Sequence, residues 1–451
     1  MGDKQVKKMG KVTGHPLTRR IPLAYLLFIH AVILSFYFVL YITFSHVFSG
    51  GVVNRELFAT SIPFAALGVL MRFSFLPSEA LLGGLLTVVT ANFISGISPL
   101  ISLVGGFSLL SGYATGKYAD LKGSMVKCTI FGSLLQVLFS SLLWYAFRGE
   151  AFTGTVLLSS LLAVVPGIGL LFLFLYLGEE LFRISSPLKL MELCSESSPL
   201  LKVLREKAPG TFYHSINTAF IAEEGAIAMG ANQVLCRVGG LYHDIGKVWK
   251  PEYYSENQFD TDNVHDTVSK DVSRFIIISH IDEGIKLAKK YRLGREVEDI
   301  MRTHHGNAPL YYYGSQKGKT PDRYPGPIPG TKEQVIVMLA DGAEAVARSL
   351  REITEKELGR VVKYVINRAV SDGQLAKVDL GTDAISSLEE AVFRSLKVIY
   401  HNRIFYPSKG GFEERGQYDE NLREKLPEKE ADKHERTEGD AKKVPGDPKY
   451  H

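Results

Sequence analysis

The distribution of apolar and polar positions divides the chain near residue 178. Before that point Leu, Phe, Val, Ile, Ser and Gly form long runs with few charges, which is typical of membrane-spanning helices. The runs predict six spans, at about 22–46, 57–76, 79–96, 97–113, 124–147 and 154–178. The two short runs that meet at 95–99 also fit one re-entrant hairpin. The first run is too long for the core of a signal peptide, so it predicts a retained helix.

After residue 178 the apolar positions follow the 3.6-residue period of amphipathic helices. A helical connector is predicted at 179–198, and further helices at about 211–229, 233–244, 269–280, 295–304, 331–350, 355–371 and 383–401. Asn232, Ser269 and Thr331 are predicted to cap three of these helices with their side chains. No pattern of alternating residues could build a sheet, so we predict an all-α bundle over 199–407.

Several segments are predicted to interrupt the helices. Pro209-Gly210 is predicted to break the chain, and Gly246 to stop a helix. The polar, aromatic stretch 251–266 is predicted to be irregular, and 306–330 to be a long loop. The final segment, 408–451, is charged and has few large apolar side chains, so we predict that it is disordered.

The position of the charges is more informative than their sum. The formal net charge of +4 averages two unlike regions and indicates little about nucleic acid. With six spans, the basic segment 1–20, Lys117, Lys122 and the second half share one side, and the other side holds only Arg55 and Arg148. The positive-inside rule therefore places both termini in the cytoplasm. The three cysteines are scattered, so neither a disulfide framework nor a Cys-ligated zinc is expected.

Seven imidazole and carboxylate side chains lie on or at the ends of the predicted helices. They are His214, His243, Asp244, His280, His304, His305 and Asp341. Buried together, these groups are unfavourable unless something compensates them, and two divalent cations that share a carboxylate such as Asp244 would do so. Taken singly, a histidine on an apolar face is usually a satisfied core residue, and a doublet after a helix is often exposed. Lys247 is either a phosphate contact beside Asp244 or a solvated surface lysine.

The order of these residues resembles the metal-dependent phosphohydrolases of the HD-domain superfamily. More closely, seven segments resemble the bacterial seven-transmembrane HD family of cyclic di-AMP phosphodiesterases. The segments are 208–215 (APGTFYHS), 242–247 (YHDIGK), 256–258 (ENQ), 278–280 (ISH), 304–306 (HHG), 324–327 (YPGP) and 339–341 (LAD). They occur in the same order as in that family across 195–407. The first half also resembles the family, because it is predicted to be a set of membrane spans.

The resemblance implies a multi-pass protein of the bacterial inner membrane that hydrolyses cyclic di-AMP to linear pApA at a di-iron or di-manganese centre. One metal would be held by His214, His243, Asp244 and Asp341, and the other by Asp244, His280, His304 and His305. The two cations would lower the pKa of a bridging water so that hydroxide exists near neutral pH. Asp244 and Lys247 would then serve catalysis. The tyrosines at 311–313 would either stack on an adenine or pack the loop. Whether the protein forms a homodimer stays open.

Two features depart from the related families. Relatives carry a large extracellular domain after their first span, whereas 49–56 leaves no room for one, so external ligand sensing is not expected. The segment after the histidine doublet reads Gly306-Asn307-Ala308-Pro309 and lacks the Gly-Tyr-Pro triplet of enzymes that act on cyclic di-GMP.

Two other functions stay open at this point. One is an HD phosphohydrolase acting on a different nucleotide, such as a guanosine alarmone or another cyclic dinucleotide. The other is a membrane receptor that binds a nucleotide without cleaving it. The full set of metal ligands argues against the receptor, because a binding module has no need to keep two metals.

Overall fold

The computed structural model describes the second half of the chain almost completely and the first half in part. The described residues are 25, 28–29, 31–32, 64–74, 84–86, 88–89, 99–116, 122–148, 154–258, 263–310, 322–350 and 353–401. The basic N-terminus, most of the first three predicted spans, the tyrosines at 311–313 and the charged segment 408–451 lie outside them.

Four helices are described in the N-terminal half: α1 (Phe64–Ser74), α2 (Pro99–Gly116), α3 (Lys122–Arg148) and α4 (Gly154–Phe182). Glycines let their backbones approach closely, since a Cβ at Gly112 of α2 would overlap the carbonyl group of Ala65 on α1. The last three helices overlap the apolar runs at 97–113, 124–147 and 154–178. Across the described residues, no helix is both long enough and apolar enough to cross a bilayer.

The predicted connector is not one helix. Helix α4 ends at Phe182, Arg183 takes a left-handed conformation (φ 55°), and α5 (Pro187–Leu193) begins four residues later. The Ser186 side chain caps α5 by accepting from the backbone N–H of Lys189, and Pro187 occupies the first helical position. The prediction at 179–198 missed this break, which lies at Arg183, four residues before the proline that starts α5.

The second half is all-α in the described residues, as predicted, apart from one isolated antiparallel bridge between Pro309 and Arg323. After α5 the helices are α6 (Pro199–Lys207), α7 (Pro209–Met229), α8 (Gln233–Tyr242), α9 (Lys270–Lys290), α10 (Arg295–Thr303), α11 (Lys332–Arg348), α12 (Glu355–Ser371) and α13 (Thr382–Tyr400). The predicted break before α7 lies at Ala208, between α6 and α7, and Pro209 is the first residue of α7.

All three predicted side-chain caps are confirmed. Asn232 accepts from the N–H of Leu235, and Ser269 accepts from the N–H of Val272. Thr331 accepts from the N–H of Gln334, whose own side chain accepts from the N–H of Gly330. These bonds satisfy backbone donors that the first turn of a helix otherwise leaves free.

Helix α7 lies at the centre of this half and packs against α8, α11 and α13. One cluster of buried apolar side chains joins these helices, with Ile221, Val238, Ile336 and Leu388 as members from the four of them. The burial of this apolar surface stabilises the bundle and holds the polar residues at the ends of its helices in fixed positions.

Two predicted interruptions differ in the structure. The stretch after residue 250 contains short 3₁₀ turns at Pro251–Tyr253, Ser255–Asn257 and Val264–Thr267, so it is more regular than expected. Gly246 does not stop a helix, because it lies inside a 3₁₀ helix, Ile245–Trp249, that follows α8. Its lack of a side chain serves packing instead: a Cβ at this position would overlap the carbonyl oxygen of His280 on α9.

We expect Gly246→Ala to destabilise the chain by about 3 kcal/mol, because the added carbon meets backbone atoms that cannot move away alone. The matched control is Gly359→Ala in the interior of α12, where an added Cβ meets only Phe393, at 3.8 Å. The control should stabilise the chain by about 0.5–1 kcal/mol through helix propensity. Denaturant unfolding measures both, and equal stabilities for the two variants would contradict the close contact.

Candidate metal centre

The seven predicted ligands converge in the structure from five helices. His214 lies in the second turn of α7, His243 and Asp244 at the end of α8, and His280 within α9. The doublet at 304–305 follows α10, and Asp341 lies within α11. The side-chain ligand atoms form two groups, and within each group all of them lie within 4.8 Å of one another. The groups are His214, His243 and Asp341, and then Asp244, His280, His304 and His305.

Asp244 lies between the two groups and turns one oxygen towards each. Its Oδ2 atom lies 3.7 Å from His214 Nε2 and 3.2 Å from His243 Nε2. Its Oδ1 atom lies 3.4 Å from His280 Nε2 and 3.8 Å from His304 Nε2. A carboxylate in this position can serve both groups at once.

Asp341 lies close to both histidines of its own group. Its Oδ1 atom lies 3.0 Å from His214 Nε2 and 3.5 Å from His243 Nε2. Its Oδ2 atom lies 3.8 Å from His305 Nδ1. The two aspartates therefore share His214 and His243 as close neighbours.

Three histidines are oriented by their own helices. The Nδ1 atoms of His243, His280 and His304 lie 2.9, 2.5 and 2.7 Å from the carbonyl oxygens of Gly240, Ile277 and Met301, three residues earlier in each case. Donation from Nδ1–H to these carbonyls leaves the Nε2 lone pair free to bind a cation. The backbone thus selects the tautomer that a metal site needs.

The cluster contains buried polar atoms that need a partner. Among the described residues, His243 Nε2 and Asp244 Oδ1 are buried and have no hydrogen-bond partner. Leaving such atoms unpaired costs about 1–3 kcal/mol each. A divalent cation accepts both kinds of atom as ligands, and nitrogen and oxygen donors suit Mn²⁺, Fe²⁺ or Zn²⁺. The donor set therefore fits a divalent metal.

Burial and neighbouring charges shift the pKa values of the candidate ligands in different directions. Burial opposes ionisation of both aspartates, but the Lys247 ammonium beside Asp244 and the His214 imidazole beside Asp341 hold the pKa of each carboxyl well below its usual range. Burial also opposes protonation of His243, yet Asp244 and Asp341 raise its pKa to about 10, so a cation that binds Nε2 has to displace a proton there.

The second group behaves in the opposite way. Burial lowers the pKa of His280, places that of His304 well below its ordinary value, and lowers that of His305 to about 3. These three imidazoles are therefore neutral near pH 7, which is the form that coordinates metal.

Lys247 is not a solvated surface residue. Its ammonium group lies 2.7 Å from Asp244 Oδ2 and 2.7 Å from Glu256 Oε1, and its side chain is 13 % exposed. Glu256 is in turn 3.1 Å from the Thr211 hydroxyl, and the Asn257 side chain accepts from the Thr211 N–H. This network anchors the 3₁₀ segment after α8 to the start of α7.

Small residues permit the close approach of the ligand-bearing helices. A Cβ at Gly240 would overlap the backbone of Ala219, so glycine lets α8 lie against α7 and brings His243 near His214. A Cβ at Gly210 would overlap the carbonyl oxygen of Glu256 in the same way. The glycines of these two segments therefore determine distances between ligands.

Two residues at the site were not among the predicted ones. The Glu344 carboxylate accepts a hydrogen bond from His214 Nδ1, and the ring of Tyr324 stacks on that of His305 with centroids 4.3 Å apart. The sequence did contain a signal for Glu344, because it follows Asp341 by three positions and so shares its helix face. The signal for Tyr324 was the segment that it opens, 324–327 (YPGP), which is one of the seven that resemble the family.

Residues 211–346 match the protein family described as HD domain. The chain is 32% identical over 365 residues to the cyclic-di-AMP phosphodiesterase PgpH of Bacillus subtilis (strain 168), with 77% of this chain and 51% of that protein aligned. It is 35% identical over 306 residues to the PgpH protein of Listeria monocytogenes, with 66% and 41% aligned. A crystal structure of the L. monocytogenes PgpH HD domain in complex with cyclic-di-AMP is 37% identical and covers 46% of this chain and 100% of that one, with a TM-score of 0.44.

Residues 211–346 therefore form an HD domain, and its buried histidines and aspartates are suited to divalent metal. The two relatives named above are cyclic-di-AMP phosphodiesterases. The chain spans about half the length of these relatives, 51% of one and 41% of the other.

We expect the purified chain to retain divalent metal, and the double variant His243→Ala, Asp244→Ala to lose it, because the change removes ligand atoms from both groups. The matched control is His401→Ala, which removes an exposed histidine at the end of α13. Metal analysis by mass spectrometry measures all three proteins. Retention of metal by the double variant would show that the cluster is not the binding site.

Proposed function

We propose that this protein is a cyclic di-AMP phosphodiesterase that hydrolyses its substrate to linear pApA. The observation that carries the proposal is the convergence of two ligand groups on Asp244, inside an HD domain that two relatives with that name resemble. The proposal rests on that geometry and on the 32% and 35% identity to the two PgpH proteins.

We assign the ligands to two cations, Mn²⁺ or Fe²⁺. The first would be held by His214, His243, Asp244 and Asp341, and the second by Asp244, His280, His304 and His305. Two such cations lower the pKa of water and neutralise the charge that develops on a phosphodiester. The chain's own residues keep the imidazoles in the correct tautomer and hold both aspartates ionised.

Lys247 has a positioning role in this proposal. Its ammonium group fixes the Oδ2 atom of Asp244, the same oxygen that faces His214 and His243. Glu256 accepts a second bond from the ammonium group and prevents it from rotating away. A direct contact from Lys247 to a substrate phosphate would require one of these two ion pairs to open.

We expect the full-length chain with Mn²⁺ to convert cyclic di-AMP to pApA, and the double variant His243→Ala, Asp244→Ala to be inactive, because the ligand set is broken. Liquid chromatography of the products measures the conversion, with His401→Ala as the control that should keep wild-type activity. A competition panel with cyclic di-GMP and a guanosine alarmone tests the other nucleotides. Preferred turnover of one of those would overturn the substrate, and tight binding without any turnover would favour the receptor.

We further propose that the N-terminal helices anchor the chain in the bacterial cytoplasmic membrane, with the HD domain in the cytoplasm. The support lies in their surfaces, which expose many large apolar side chains. On α3 these include Phe131, Leu134, Leu138 and Leu142, and on α4 they include Val165 and Tyr176. Apolar surface of this extent is unfavourable in water and is removed by contact with lipid chains.

We expect the pair Leu134→Glu, Leu138→Glu to weaken membrane association, because two charges on one face of α3 would enter hydrocarbon at about 2.5–3.5 kcal/mol each. The matched control is Val398→Glu in α13. Val398 is 60% exposed and Leu138 58%, but Val398 lies in the HD domain. Sedimentation of membranes after a carbonate wash measures the effect. Recovery of the wild-type chain in the supernatant after the wash would contradict membrane anchoring.

A further inference from the structure

His214 is oriented differently from three other histidines of the cluster. His243, His280 and His304 direct Nδ1 at a backbone carbonyl of their own helix, whereas His214 directs Nδ1 at the Glu344 carboxylate of another helix. The position of His214 thus depends on a charged side chain distant in sequence.

Glu344 is almost fully buried, with a side chain 1% exposed, and its carboxylate accepts hydrogen bonds from two other helices. Besides His214, it accepts from Asn217 Nδ2 of α7 at 3.2 Å and from the Tyr400 hydroxyl of α13 at 3.1 Å. The Arg348 guanidinium of α11 lies 3.7 Å away. A buried carboxylate with this many donors is fixed in place and stays ionised.

Glu344 does not itself belong to either ligand group. It lies on the far side of the His214 ring from Asp341, since Nδ1 faces Glu344 and Nε2 lies 3.0 Å from Asp341 Oδ1. A carboxylate that accepts from the second nitrogen of a metal-binding imidazole fixes the ring and makes the first nitrogen a stronger ligand.

We propose that Glu344 is a positioning residue that strengthens binding of one of the two cations, the one assigned to His214, His243 and Asp341. Through the Tyr400 hydroxyl, α13 sets the orientation of the carboxylate and so contributes to this site from outside the ligand-bearing helices. The inference rests on the proposed two-cation function. It adds that only one of the two cation sites depends on Glu344. His280 and His304 have backbone acceptors, so their cation should be indifferent to Glu344.

The test is a metal titration of the full-length Glu344→Gln variant. Glutamine keeps the size of the side chain and an acceptor oxygen but removes the charge. We expect the affinity for one Mn²⁺ ion to fall about 10–100-fold and that for the other to stay unchanged. At limiting metal the stoichiometry should fall from two ions to one. Electron paramagnetic resonance should then show an isolated Mn²⁺ ion in place of a coupled pair.

Glu333→Gln is the matched control. Glu333 is a buried carboxylate in the first turn of the same helix, and it accepts from the backbone N–H of Asn232. Glu333→Gln should leave the affinities for both Mn²⁺ ions unchanged. Tyr400→Phe keeps the carboxylate and removes one hydrogen-bond donor, so it should lower the affinity for the same Mn²⁺ ion by a smaller factor. This variant replaces Glu344→Gln if Glu344→Gln fails to fold.

The outcomes separate this inference from the proposed function. Two unchanged affinities in Glu344→Gln, or equal weakening of both ions, would overturn the role of Glu344. A wild-type chain that binds fewer than two ions would contradict the proposed function before any variant is compared. Loss of one ion in Glu344→Gln but not in Glu333→Gln would support the positioning role.

Discussion

The structure depends on the pairing of two buried aspartates with imidazoles and one ammonium group. Asp244 and Asp341 are both buried, and neither would stay ionised in that position without the positive and hydrogen-bonding groups around them. Asp244 turns one oxygen to each ligand group, so its position ties the two groups together. The bundle has to hold five helices at fixed distances to keep that arrangement.

Packing and backbone bonding supply this precision. Gly240 lets α8 approach α7, and Gly246 lets the segment after α8 lie against the backbone of α9. Both contacts bring ligands together without any side chain between the helices. The carbonyl oxygens three residues before His243, His280 and His304 then orient the rings, so the helical backbone acts as part of the site.

The N-terminal half is joined to the site through α10. The backbone N–H of Arg295 donates to the carbonyl oxygen of Arg183, and the N–H of Ser185 lies 2.9 Å from Glu296 Oε2. The Arg183 guanidinium also pairs with the buried Glu298. These contacts attach the turn after α4 to the start of α10, and the histidine doublet lies at the other end of the same helix.

Residues within a few positions of one another determined most helices of the second half and three of their caps, but α6 was not predicted and α9 runs ten residues beyond its predicted end at 280. The seven candidate ligands were predicted from their order over 214–341 and from the family resemblance that this order carries. The sequence by itself did not determine the break at Arg183, the packing role of Gly246 or the ion pairs of Lys247. Only the tertiary structure decided these, and it also placed Glu344 against His214, 130 residues away in the chain. The reason is physical: a helix pattern shows which face of a helix is buried, but the partner of a buried charge is chosen by the packing of helices distant in sequence.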